Sequence, residues 1–460
     1  MIRLAALAAL ALPTVAAAQS AATVEQTNTR YDEDWSGIAV TAPRRDADWW
    51  KAAKHRPLDK DGTVYLTTGL ELRIRQEGFD DNNWGDPPAA DDGYLWVRMM
   101  PHADLHVGPA RAFVQGIAGY ARGVGAGKGP ADETGIDLLQ GFADVRLPLT
   151  ETVSLTLRGG RELVALGSER LVGLRYGPNI PQAFDGGRAI LNVGKVRIDA
   201  LAMRPVVVGL GDFDDRRSRT RRLSGVYATT MVAPDIGLDL YWLGYRNETA
   251  RFAQSEGDER RDSYGVRVFG KRGGLAWNWE GVLQRGSFGA ARIRAWTVAT
   301  ETAYRFADVP LTPRIRLRAN IASGDRDPGD ANLGTFNAMF PKGKYFGELS
   351  PIGPYNIANL HPSVDVDLGG GFTLDVAGIA YWRASRGDGV YNVPGQLIRA
   401  PGDARSRFIG TQAEALVGWQ ASEILSFGVS LSLFRPGDFI RETGPARTIH
   451  MIGSEAMLRF

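Results

Sequence analysis

The fold class predicted by the sequence is all-β, a transmembrane antiparallel β-barrel of about eighteen strands, and three observations predict it. Side-chain polarity alternates with period two along most of the chain after residue 60, which is what strands with two unlike faces produce. No apolar run beyond the first residues approaches the roughly 18 to 20 that a spanning helix requires, so a membrane crossing has to be made by strands. The chain ends on an aromatic residue, Phe460, at the close of an alternating segment.

The elements follow in order. Met1 to Ala18 carries one early charge at Arg3, an apolar run from Leu4 to Leu12, and Ala16-Ala17-Ala18 before Gln19. That is the layout of a cleavable secretory signal, and it leaves 460 − 18 = 442 residues. Residues 19–62, with Pro43, Arg44-Arg45 and Trp49-Trp50, read as a periplasmic or plug-side lead-in with a short helix near 48–55. Residues 63–460 read as the barrel.

Leu70-Glu71-Leu72-Arg73-Ile74-Arg75 places apolar residues on even positions and charges on odd ones, and Ile315-Arg316-Leu317-Arg318 repeats the pattern. Val153-Ser154-Leu155-Thr156-Leu157-Arg158, Val196-Arg197-Ile198-Asp199-Ala200 and Val364-Asp365-Val366-Asp367-Leu368 do the same. Soluble sheets also alternate, but these segments run to about ten residues, the length of a tilted membrane strand. Tyr94, Trp96, Tyr241, Trp242, Tyr245, Trp277, Trp279, Trp296, Tyr304, Tyr381, Trp382 and Trp419 fall within them and suit interfacial girdles. In the last strand Ile452, Ser454, Ala456, Leu458 and Phe460 share one face, with Glu455 and Arg459 on the other. Short connections such as Pro148–Thr152 and Lys271–Gly274 suit periplasmic turns. Residues 80–92, 123–135, 162–187, 248–260, 325–355 and 384–404 read as long loops, outside or folded into the lumen.

Composition narrows the function classes. Cysteine is absent, which excludes disulfides, thiolate metal sites and cysteine nucleophiles. Of the 54 basic residues 8 are lysine, leaving 46 arginines, a side chain that stays charged and forks onto carboxylates and other anions. The 52 acids interleaved with them, and export from the cell, argue against nucleic acid as a partner.

Specific motifs carry a resemblance. Gly160-Arg161-Glu162-Leu163, Gly167-Ser168-Glu169-Arg170-Leu171-Val172-Gly173, Pro178-Asn179 and Phe184-Asp185-Gly186-Gly187-Arg188 resemble the alginate-export family of outer-membrane proteins. Leu70 to Glu77 looks like that family's first strand, and Asp137 to Asp144 like the strand before the arginine motif. Gly334-Thr335-Phe336-Asn337 to Phe340-Pro341-Lys342-Gly343-Lys344-Tyr345-Phe346-Gly347, with Asn356 and Asn359, is similar to its long loop; Asp388-Gly389-Val390-Tyr391 and Ile409-Gly410-Thr411-Gln412 also fit. The resemblance implies an eighteen-stranded barrel in the bacterial outer membrane, among outer-membrane lipid and lipopolysaccharide. It further implies an anionic uronate polymer passing outward through an arginine-lined constriction, with loops or a periplasmic export partner occluding the pore. Glu162 stands where glutamine is expected and adds a negative charge beside Arg161.

A channel for a polyanion needs fixed cations at a narrow point, mixed with acids so that cargo can leave. Arg73, Arg75, Arg98, Arg161, Arg170 and Arg188 are the candidates, with Glu77, Asp144, Glu162 and Asp185 as orienting partners. The competing reading of the same residues is an ion-pair lattice that braces the lumen. Asp325, Asp327 and Asp330 have a spacing that suits calcium through oxygen ligands, against an ordinary solvated acidic loop. No other cofactor is expected. Two alternatives stand beside the polymer channel: a general or nutrient-uptake porin for small organic anions or apolar compounds, and an outer-membrane lipid hydrolase. The sequence disfavours the hydrolase, since His361-Pro362-Ser363 lacks a nucleophile-elbow motif and the other histidines are only His55, His102, His106 and His450.

Overall fold

The computed structural model describes residues 26–35, 49–87 and 91–460. The signal-peptide reading of Met1–Ala18 lies outside the described residues, as does most of the stretch 19–48. Among the described residues, eighteen antiparallel strands form one closed sheet. The first seven are β1 (Val64–Asp80), β2 (Asp92–Val107), β3 (Ala110–Arg122), β4 (Gly135–Pro148), β5 (Val153–Leu163), β6 (Ala183–Val193) and β7 (Val196–Val207). Next come β8 (Arg221–Ala233), β9 (Ile236–Phe252), β10 (Ser255–Arg272), β11 (Leu275–Phe288), β12 (Ala291–Arg305) and β13 (Arg314–Ala322). The circuit ends with β14 (Ile357–Gly369), β15 (Phe372–Arg383), β16 (Phe408–Gln420), β17 (Leu425–Pro436) and β18 (Ile449–Arg459). β18 pairs back onto β1, from Arg459 opposite Glu71 to His450 opposite Asp80, so the sheet has no free edge.

The alternation read from sequence becomes the two faces of this wall. Arg73 is 1% exposed and faces the lumen, whereas Ile74 is 45% exposed and faces outward. Trp242, Trp279, Trp296, Tyr304, Trp382 and Trp419 are exposed on the outer face, but Trp96, Tyr241, Tyr245 and Tyr381 are buried inside. Only some of the aromatics expected in girdles therefore meet the lipid boundary.

Short turns, such as 149–152 and 273–274, occupy the end of the barrel where Val64 and Phe460 lie. The other end carries 81–91, 123–134, 164–182, 208–220, 323–356, 384–407 and 437–448. Two of these, 208–220 and 437–448, went unseen in the sequence. The expected loop at 248–260 is instead the tip of a tall hairpin, with Asn247 opposite Glu259 and Phe252 opposite Ser255. Its outer side is polar because it has risen past the apolar band, and polarity there imitates a loop.

The core of the molecule lies inside the barrel. Loops 164–182 and 323–356 turn inward and pair as a short parallel contact, Gly173 N–H to Phe340 O at 2.8 Å and Phe340 N–H to Leu171 O at 3.0 Å. Leu171, Val172, Phe336 and Phe340 pack there against the wall residues Phe184, Leu201 and Tyr245. On the short-turn side, the segment 26–35 reaches the wall: Tyr31 stacks edge-on against Phe113 and Phe142 at 5.9 and 5.3 Å. A one-turn helix, Lys51–Lys54, leads into β1, and Phe460 is buried with Trp35 and Trp50.

Candidate functional site in the loop-filled lumen

Arg73 and Arg98 lie side by side on β1 and β2, a register pair whose guanidinium groups hold the inward loop. Arg73 donates to the carbonyls of Tyr176 at 3.1 Å, Gly177 at 3.2 Å and Pro178 at 2.6 Å. Arg98 donates to the Asn179 carbonyl at 3.0 Å, forms a 2.6 Å pair with Glu71, and sits 4.4 Å over the Tyr176 ring. Tyr176 in turn donates its hydroxyl to Glu71. The Pro178-Asn179 motif is thus the point where loop 164–182 is fastened to the wall.

Arg75 pairs with Glu77 at 2.6 Å and Glu455 at 3.2 Å, while Lys344 of the second loop bridges Glu77 and Glu348, both at 2.7 Å. Farther round, Arg158 binds Asp144 at 2.7 Å and Glu162 at 3.1 Å, and Arg188 binds Glu162 at 3.3 Å and Asp199 at 2.8 Å. Glu162, which departs from the expected glutamine, serves two arginines at once. Arg261 repeats the theme on β10, paired with Glu259 at 2.6 Å and donating to the Thr335 carbonyl at 3.1 Å, with Asn337 donating to Glu259 at 3.0 Å. Asp388 joins loops 323–356 and 384–407 by accepting from the Asp325 N–H, the Thr335 hydroxyl and the Tyr391 hydroxyl at 3.0, 2.5 and 2.7 Å. Burial holds the Asp388 carboxyl above its usual range.

Two of the sequence candidates are placed differently. Arg161 and Asp185 face each other across β5 and β6 at 2.8 Å, on the outer parity with Leu157, which is 50% exposed, and beside Leu138 and Phe213. They do not join Arg188 in the lumen, because Arg158 and Glu162 take the inward positions of β5. Between them Gly160 has φ +138°, and a Cβ there would lie 2.3 Å from the Gly141 carbonyl, so this crossing requires glycine.

Asp325, Asp327 and Asp330 also fail to converge. Asp325 accepts from Gly334 N–H at 2.9 Å, Asp327 from Gly329 at 3.0 Å and Asp330 from Asn332 at 2.6 Å, each closing its own turn. Among the described residues, the acids whose oxygens do approach one another are Asp137, Asp214 and Asp215, at the outer rim.

The sequence reading missed the cationic face on β13. Arg316 and Arg318 point into the lumen opposite Ser363 and His361 of β14. Arg316 pairs with Asp375 at 2.9 Å, Arg318 with Glu301 at 3.0 Å, and Arg170 from loop 164–182 with Glu280 at 3.1 Å. Nε is the atom through which Arg318 and Arg170 make these pairs, whereas Nε of Arg316, Nδ1 of His361 and Nδ2 of Asn359 are buried with no hydrogen-bond partner. Lys342, from loop 323–356, makes no ion pair among the described residues. Burial together with Arg318 and Arg170 pulls its ammonium down to about 8. The period-two run from Ile315 to Arg318 already held the signal for the two strand arginines.

Comparison with known proteins agrees with this architecture. No curated protein matches the sequence. A BenF-like porin from Pseudomonas fluorescens Pf-5 is similar in structure at TM-score 0.59 and 11% identity, with 86% of this chain and 98% of that one covered. Pseudomonas aeruginosa OccK2 (OpdF), crystallised with glucuronate, is similar at TM-score 0.57 and 14% identity over 86% and 98% of the two chains. OccD3 (OpdP) of the same organism gives TM-score 0.57 at 13% identity over 89% and 93%. At these identities the likeness is one of fold, an outer-membrane porin barrel. The sequence profile described as alginate export matches residues 64–453, nearly the whole barrel. The chain belongs to the alginate-export family and is an outer-membrane channel.

Proposed function

We propose that the protein passes an anionic polysaccharide of the polyuronate type through its lumen, along the face formed by Arg316, Arg318, Arg170 and Lys342. The observation that supports this reading best is the surplus of donors there. Lys342 brings a charge with no ion pair among the described residues to a face that already holds three arginines, and Nε of Arg316 and Nδ2 of Asn359 are buried there without acceptors. Carboxylates spaced along a polymer would supply the missing acceptors and be released as each passes the next cation. Glucuronate in the OccK2 structure is a single uronate, and it supports cargo of the same chemistry. A periplasmic export partner that delivers the polymer to the short-turn end belongs to the same reading.

A second reading, a porin for small organic anions, draws on the packing of loops 164–182 and 323–356 against each other inside the barrel, which favours small cargo. Planar-bilayer conductance separates the two. The polymer reading expects dose-dependent blockade by added polyuronate, and weaker blockade with lower anion selectivity in Lys342→Gln. Indifference to polyuronate with blockade by a single uronate sinks it in favour of the porin.

A further inference from the structure

The outer wall carries a second cationic feature that the channel does not use. Cross-strand register stacks β9 to β12 in rows. Trp242, Tyr264, Leu283 and Trp296 form one outward row, all exposed. The row below it toward the short turns is Leu240, Val266, Gly281 and Val298. Because Gly281 has no side chain, these two rows enclose a shallow apolar trough of about 730 Å³ on the membrane-facing surface. The row above the aromatics is Gly244, Asp262, Arg285 and Arg294, and the next is Arg246, Arg260, Ser287 and Arg292, continued on β8 by Arg222.

Charge is badly balanced in these upper rows. Arg285 stands directly opposite Arg294, and Arg222, Arg246 and Arg260 are consecutive cross-strand neighbours. Like charges so placed destabilise a sheet. Asp258 answers Arg246 and Arg260 at 3.4 and 3.1 Å, and Asp262 is taken by the Trp242 indole at 2.9 Å. The guanidiniums of Arg222, Arg292 and Arg294 have no ion pair or hydrogen bond among the described residues. Across the barrel, the same rim has Asp80 opposite His450, where no like charges are stacked.

We infer that this face binds a phosphorylated glycolipid of the outer leaflet, the lipid A portion of lipopolysaccharide. An acyl chain would lie in the trough over Gly281, and the headgroup phosphates would sit between Arg285 and Arg294 and toward Arg222 and Arg292. The order of the parts matches such a lipid: an apolar groove, an aromatic row at headgroup depth, then unpaired cations. Phosphate oxygens accept forked guanidinium donors, which removes the repulsion within each row.

The test uses the full barrel in detergent, titrated with lipid A and followed by native mass spectrometry, with heat-modifiable gel mobility to confirm folding. Arg285→Gln/Arg294→Gln is expected to weaken lipid A binding by roughly tenfold or more. Gly281→Leu, whose added Cβ meets no atom within 4 Å, keeps the arginines and is expected to weaken binding by filling the trough. Removing the phosphates from lipid A should cost the wild type as much as the double substitution does. Equal binding of dephosphorylated lipid A, equal binding by the folded double variant, or equal preference for phosphatidylglycerol overturns the assignment.

Discussion

Arg98 and Arg294 carry the same guanidinium into opposite surroundings. Arg98 is fully buried inside the barrel, with one terminal nitrogen 2.6 Å from Glu71 and the other on loop carbonyls. Arg294 is exposed on the outer rim opposite Arg285, with no acid paired to it among the described residues. The difference follows from water. Loops that fill the lumen displace solvent, and a buried charge without a partner costs several kcal/mol, so interior cations such as Arg98 are neutralised by carboxylates and engaged by the loops themselves. At the rim solvent and lipid headgroups remain available, and cations can wait for a ligand. Between these extremes lies the β13 face, where Lys342 is inside the barrel with no ion pair among the described residues, whereas Arg73 and Arg98 are engaged by loop carbonyls; this makes the β13 face the better candidate for touching cargo.

The contrast can be broken most forcefully at Glu71. Glu71→Ala leaves Arg98 buried without its carboxylate and should lower stability by about 3–5 kcal/mol, read as earlier thermal unfolding. It should also raise single-channel conductance, because Tyr176 loses the same anchor. Asp388→Ala is the next largest: three or more donors lose their acceptor, for about 1–3 kcal/mol, and the 384–407 loop should become open to protease.

Selectivity gives a finer test. Lys342 is charged below about pH 8 and neutral above it, in the company of Arg318, Arg170, Glu301 and Glu169. Anion preference in reversal-potential measurements should therefore fall as pH rises through about 8, and Lys342→Arg should keep it. Should the wild type hold constant preference up to pH 10, Lys342 has no part in selection. Arg161→Gln should leave reversal potentials unchanged, since Arg161 pairs with Asp185 on the outer face. Least of all, Arg441→Ala breaks an exposed pair with Asp438 and should shift stability by no more than about 0.5 kcal/mol.

Much of this was legible before any coordinates. Leu70 to Arg75 and Ile315 to Arg318 declare their faces by parity, and the closing strand declares its end with Phe460. Parity also held an answer that was overlooked. Val153, Leu155 and Leu157 face lipid, so Arg158 and Glu162 must face in and Arg161 out. Other sites had no such signal. The aspartates at 325, 327 and 330 have ligand-like spacing while each serves a separate turn.

By itself the sequence determined the barrel, its strand number and the sidedness of most strand residues, because two-residue alternation is a local property of an extended chain and a bilayer rewards only one face of it. Which arginines are free was decided by tertiary structure alone. Arg73 is occupied by Pro178, 105 residues away, and Arg294 is left unpaired by the register that sets it against Arg285. Pairing of charges depends on which segments share the dry interior, and no local pattern carries that information.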